Sequence, residues 1–270
     1  MGLAMFLPGI AIDHAANTLL AGLGSYLVMA SIFAVNDWAD IHLDTENPLK
    51  RKDTFLERGV DPKYMLGLAV MLAAGGLAHF AALSALHAIT ALFVILFGLA
   101  YSVPVRGVRG KSVPVVSSLL HFGGTLLAFM LGALTFAPFD WRALLVASHP
   151  GVLISAGHLV HEVEDYEQDR LFRCRTNAVR FGQKTVFVIA SLLFGLSFLL
   201  LVWLADEGFL PGFIKYTPIL YLVYAALAIQ AFRAGLTRDS VRRLRTQYRL
   251  LFAVVVLAML IGSLLNKGAF

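Results

Sequence analysis

Long apolar runs separated by short charged islands organise this chain of 270 residues. The runs last about 17–25 residues, the length an α-helix needs to cross about 30 Å of hydrocarbon. Taken in order they predict nine helices, near residues 2–13, 16–36, 64–84, 88–104, 112–137, 150–166, 184–204, 216–233 and 248–266. The expected fold is all-α: a polytopic membrane bundle of about nine transmembrane helices, with residues 1–270 as one domain. The first helix is short for a full crossing, which makes it partly interfacial or trimmed at its start. No basic residue precedes Lys50, so Met5–Ile12 lacks the positive flank of a cleavable signal sequence.

Composition sharpens this reading. Hydrophobic residues make up 59% of the chain and charged ones 14%, against about 45–50% and about 25% in soluble domains; the mean hydropathy is +0.76. The basic residues fall on alternate connections. Lys50, Arg51, Lys52, Arg58 and Lys63 follow the second helix, and Arg106, Arg109 and Lys111 follow the fourth. Arg170, Arg173, Arg175, Arg180 and Lys184 follow the sixth, and Arg233, Arg238, Arg242, Arg243, Arg245 and Arg249 follow the eighth. Of the 22 Lys and Arg, only Arg142, Lys215 and Lys267 remain for the other side. By the positive-inside rule the rich side is cytoplasmic, with the N-terminus inside and the C-terminus outside. The pI near 9.4 therefore reports topology and contact with membrane lipids, and no nucleic-acid partner is expected. The lone Cys174 excludes an intramolecular disulfide and a multi-Cys zinc site.

Two acidic motifs lie on the basic side. Asn36-Asp37-Trp38-Ala39-Asp40-Ile41-His42-Leu43-Asp44 places Asp37, Asp40 and Asp44 three and seven residues apart, on one helical face. His161-Glu162-Val163-Glu164-Asp165-Tyr166-Glu167-Gln168-Asp169 does the same with Glu162, Asp165 and Asp169. The nonapeptides align without a gap. Like charges stacked at a membrane boundary repel one another, a cost that shared divalent cations remove. Mg²⁺ prefers oxygen ligands and bridges one or two carboxylates to substrate phosphates. Two such stripes facing each other could hold two Mg²⁺ ions around a diphosphate and stabilise it as it leaves. A lone motif of this kind is ordinarily a solvated helix end; the pair is a much stronger signal.

Asn36-Asp37-x-x-Asp40-x-x-x-Asp44 resembles the first signature of the UbiA superfamily of intramembrane prenyltransferases, and Asp165-x-x-x-Asp169 resembles the second. Tyr101-Ser102-x-Pro104 followed by Lys111 looks like the segment between them, and Thr176-x-Ala178-Val179 with Gly182 looks like the tail of the second motif. The resemblance implies nine helices and Mg²⁺-dependent transfer of a prenyl group from a prenyl diphosphate to an acceptor, often aromatic. It assigns site roles to Asn36, Asp37, Asp40, Asp44, Asp165 and Asp169, with Lys111 as the basic diphosphate ligand. His161 and Glu162 stand where many members carry Asn and Asp, and Arg173 stands where Gly is usual. Glu162, one methylene longer than Asp, is still expected to bind metal.

The expected site therefore has Asp37, Asp40 and Asp165 as catalytic residues and Asn36, Lys111, Arg51, Tyr101 and Arg173 on the substrate. Asp37, Asp40, Asp44, Glu162, Asp165 and Asp169 are the expected ligands of Mg²⁺. Each basic residue has a plainer role as a topology determinant or lipid contact, and Tyr101 as an interfacial anchor. His158-x-x-His161 with Glu162 and Asp165 also allows zinc, with orientation of a carboxylate by His161 as a further role. His121 beside Gly123-Gly124 marks either a pocket or close helix packing. Arg233–Arg249 reads as an amphipathic helix lying on the membrane surface. Two other functions share these motifs: a membrane terpene cyclase, whose prenyl chain captures its own cation, and a cation transporter. A transporter would place ionisable groups at mid-membrane, whereas these cluster at helix ends.

Overall fold

The computed structural model describes residues 12–48, 50–172 and 174–265. Ten α-helices follow one another: α1 Ile12–Glu46, α2 Pro62–Leu83, α3 Ala85–Ser102, α4 Val116–Leu134, α5 Trp141–Glu164, α6 Tyr166–Leu171, α7 Asn177–Phe181, α8 Gln183–Asp206, α9 Pro218–Arg233 and α10 Arg238–Leu265. Among the described residues there are no strands, only an isolated bridge between Val105 and Val108. Among the described residues, seven stretches are long and apolar enough to cross a membrane: Leu19–Glu46, α2, α3, α4, α5, α8, and α9 with the turn before it.

The helix ends follow from local chemistry. Asp61 caps α2 by accepting the Lys63 N–H at 2.9 Å, and Pro62 fills the first helical position, where its missing N–H costs nothing. Ser84, in extended conformation, both ends α2 and caps α3 through the His87 N–H. Asp140 caps α5 through the Arg142 N–H at 2.9 Å. Gly182 turns the chain between α7 and α8 at φ +89°, a conformation that side chains disfavour.

The boundaries differ from the expected ones in three places. The helix expected near 2–13 lies outside the described residues except for its last two positions, and these already belong to α1. No break forms at 14–15, because Ala15-Ala16 propagates the helix readily. The same helix runs past residue 36 through the whole first acidic motif and stops at Asn47-Pro48, where proline disfavours continuation. α5 begins at Trp141 rather than near 150, since Pro150 is accommodated inside it. The expected surface helix 233–249 and the last expected span form one helix, α10. Its apolar stripe of Val241, Leu244 and Tyr248 is buried against the bundle, not laid on a membrane surface.

α5 is the most buried of the candidate spans. One end packs Ala156, Val160 and Val163 against Phe187, Phe194, Tyr224 and Tyr248. The other packs Ala143 and Ala147 against Phe198, Leu201 and Ile214. A third cluster of Val28, Phe80, Val94 and Leu131 binds α1 to α4 together. Small residues let these helices approach: a Cβ at Gly98 would lie 2.6 Å from Ile32, and one at Gly76 would lie 2.8 Å from Val28. Outside, Leu19, Tyr26, Phe33, Met71, Leu192, Leu199 and Leu222 are exposed. Such an apolar exterior suits lipid rather than water, and the molecule is a multi-pass membrane protein.

Candidate active site

The C-terminal ends of α1 and α5, with the connections that follow them, bring the two acidic stripes to one end of the bundle. The Asn47 amide donates to Gln168 at 3.4 Å, tying the end of one motif to the end of the other. Lys50 lies between the stripes. Its ammonium is 3.5 Å from Asp44 and feels the charges of Asp165 and Asp169. Burial opposes that charge, yet the three carboxylates outweigh it and hold the Lys50 pKa above its ordinary value. Asp169, on α6, is pushed up to about 6 by burial first, and then by the neighbouring charges of Asp165 and Glu162.

Asp40 carries the densest pairing. Arg109 Nη1 donates to its Oδ1 at 2.8 Å, Lys111 donates to the same oxygen, and Arg109 Nη2 caps the Ala39 carbonyl at 2.7 Å. Lys111 reaches this point from the 3₁₀ turn Gly110–Ser112. A Cβ at Gly110 would collide with the Ala100 carbonyl, so glycine lets the turn press against the end of α3. Asp37 is in electrostatic reach of Asp40, Asp44 and Lys111, and Asn36 accepts from the buried Ser102 hydroxyl at 3.2 Å. Tyr101 is in electrostatic reach of Glu162, Asp40 and Asp169. Its ring meets His121 edge-on at 4.8 Å, and His121 stacks on His158 at 3.9 Å.

Two expected residues are placed otherwise. Glu162 is 5% exposed and turned inward: Oε1 accepts from Asn177 at 3.0 Å and Oε2 from the Ala178 N–H at 3.2 Å, with Ser117 at 3.4 Å and His158 Nε2 3.0 Å away. Its lone pairs serve the protein, because helix α7 presents donors there. Arg51 pairs with Glu57 at 2.5 Å, so the basic residue of this loop among the acids is Lys50. Arg173 lies outside the described residues. The zinc arrangement does not form: His158 faces Glu162 and His121, while His161 accepts from Arg245 at 2.9 Å. No group of three His, Cys, Asp or Glu among the described residues is close enough to hold an ion unaided. At His121 the close-packing expectation applies, since Gly123 packs under Phe97 and the His121 ring packs on Tyr101 and His158.

Sequence reasoning passed over Arg109 and Asn177, and it assigned the basic stripe of α10 to the membrane surface. Asn177 also accepts the Val115 N–H at 2.6 Å, and Val115 holds φ +69°. A β-branched residue in that region is strained by about 1–3 kcal/mol, and Asn177 helps hold it there. The only signal for Asn177 was its place within the Thr176-x-Ala178 segment. Arg109 is separated from Asp40 by 69 residues, and no local pattern announces such a pair.

The UbiA prenyltransferase family model matches residues 1–256. The chain belongs to the UbiA prenyltransferase family. Membership makes it a prenyltransferase rather than the cation transporter that acidic stripes also allow. Two structures of a UbiA homologue from Archaeoglobus fulgidus, one bound to GPP and Mg²⁺ and one to DMAPP and Mg²⁺, are each similar at 19% identity and TM-score 0.73. They cover 97% of this chain and 93% and 92% of theirs. A structure of digeranylgeranylglyceryl phosphate synthase is similar at 17% identity and TM-score 0.68, covering 97% of this chain and 91% of that one. These likenesses establish the UbiA fold for the whole bundle. No curated protein matches the chain significantly.

Proposed function

We propose that the chain transfers a prenyl group from a prenyl diphosphate to a hydrophobic or aromatic acceptor, using Mg²⁺, at the cytoplasmic face of the membrane. The C1–O bond of the donor breaks and its electron pair leaves with pyrophosphate. The acceptor supplies the electron pair of the new bond to C1 and then releases a proton. Asp37, Asp40 and Asp44 on one side, and Asp165 and Asp169 on the other, would hold the metal. A metal held by these residues would neutralise charge on the departing diphosphate.

The observation that carries this reading is Lys50, a cation already seated among carboxylates of both stripes. Those carboxylates favour positive charge, and burial of Asp169 makes an added cation more welcome still. The relative bound to Mg²⁺ with GPP in one structure and with DMAPP in another supports the same donor chemistry. Mg²⁺ bound mainly through phosphates needs few protein ligands, which suits carboxylates that do not converge unaided. Lys111, Arg109 and Lys50 add positive charge toward the diphosphate, and Asn36 and Tyr101 border the same space. The surrounding helices keep water from the allylic cation.

Pyrophosphate release from prenyl diphosphate, followed in detergent with an acceptor present, tests the scheme. It should require Mg²⁺, stop with chelator, and fall at least a hundredfold in Asp40→Ala with Asp165→Ala. Full activity in that double variant refutes the assignment.

A further inference from the structure

On the α10 side of α5 lies a second polar space, a cavity of about 320 Å³. Lys50, Arg238, Arg242, Arg245 and Arg249 line it, against the two acids Glu164 and Asp165. The acids are already engaged: Arg245 donates to Glu164, with Arg242 4.0 Å away, and Arg238 stands 4.0 Å from Asp165. With Lys50 also paired to Asp44 at 3.5 Å, two positive charges are left over. The Nε–H groups of Arg238 and Arg245 are buried and have no partner. Planar guanidinium forks match the geometry of phosphate and carboxylate.

The geometry points to a binding site for the anionic head, phosphate or carboxylate, of the acceptor molecule. This rests on the prenyl-transfer reading and adds to it the class of acceptor. The cavity shares Lys50 and Asp165 with the acidic stripes, so a molecule anchored there by its head lies beside the donor diphosphate. It extends beyond the donor site: Asp37, Asp40 and Lys111 gather on the α1 and α3–α4 side, and none of them lines it. Fixing the head while the body extends among the helices orients the nucleophile, which is where much of the advantage of a bound pair arises. Its volume fits a single head with its first substituents, at the lower end of small-molecule sites.

The test uses the double variant Arg242→Gln/Arg249→Gln, at two positions on the outer side of the cavity. Binding of glycerol phosphate is measured by calorimetry at constant ionic strength, and GPP binding with Mg²⁺ is measured separately. The variant should lose at least tenfold in glycerol phosphate affinity and less than threefold in GPP affinity. Equal affinity for glycerol phosphate in both proteins overturns the site, and equal losses for both ligands merge it with the donor site. Absence of Mg²⁺-dependent GPP binding in the unaltered protein would instead defeat the prenyl-transfer reading. With GPP as donor, 4-hydroxybenzoate is then compared with its methyl ester, and an alkylglyceryl phosphate with the alkylglycerol. The charged member of a pair should be prenylated, and the variant should raise its KM at least tenfold with kcat changed less than threefold. Equal use of neutral and charged members overturns the proposal. So does displacement of glycerol phosphate by phosphatidylglycerol vesicles, and not by phosphatidylcholine vesicles, without any effect of the variant on KM; that result would make the cavity a lipid-headgroup site.

Discussion

Burial pushes the Asp169 carboxyl up to about 6, well above the ordinary 3.8 of an aspartate, with Asp165 and Glu162 adding to the shift. Its neutral form is favoured by the fold and its charged form is disfavoured. The stability associated with this group is therefore complete below about pH 4 and is lost as pH rises through about 6. Thermal unfolding of metal-free protein in detergent should show that decline between pH 4 and 6, then level off. Asp169→Asn should remove this component, because it cannot ionise. An unchanged pH profile in Asp169→Asn would show that other groups govern it. Glu162 illustrates the opposite fate at this scale. Its oxygens are occupied by Asn177 and the Ala178 N–H, so a carboxylate that matches the metal pattern in sequence anchors a helix instead.

At the scale of elements, the 3₁₀ turn Gly110–Ser112 carries Lys111 to Asp40. It reaches that position because residue 110 has no Cβ to meet the Ala100 carbonyl. A backbone atom cannot swing aside as a flexible side chain can, so Gly110→Ala must shift the turn. Misplacing a catalytic group by about 1 Å costs about a hundredfold in rate. Gly110→Ala should lose activity on that order while its melting temperature moves by only a few degrees, the turn being a surface connection. A variant with full activity would show that Lys111 does not depend on this close approach. The same scale explains why α10 differs from the expected surface helix. An amphipathic stripe has the same period whether it meets lipid or protein, and here Glu164, His161 and the apolar side of α5 supply the partner.

For the whole molecule, the proposed orientation rests on charge read from the sequence. By the positive-inside rule, the excess of Lys and Arg in the segments near the acidic motifs favours a cytoplasmic active site. In a Cys174→Ser background, Arg58→Cys on the α1–α2 connection and Glu207→Cys after α8 place thiols at exposed positions at opposite ends. A membrane-impermeant maleimide should label position 207 in intact cells and position 58 only in inverted vesicles. The reverse pattern would place the site on the outer face.

The hydrophobic pattern by itself determined the helical class, most of the spans and the end of the bundle that carries the chemistry. Length against bilayer thickness and the one-sided placement of Lys and Arg are local properties of a chain, so they are legible without a fold. The acidic stripes were legible for the same reason, since a helical period of three, four and seven fixes which carboxylates share a face. Tertiary structure decided everything that depends on which helix meets which. It joined the surface helix to the last span, turned Glu162 from the metal pattern into a network with Asn177, replaced Arg51 by Lys50 between the stripes, and brought Arg109 and the arginines of α10 to the acids. Those pairings lie tens of residues apart in sequence and exist only where packing closes the distance.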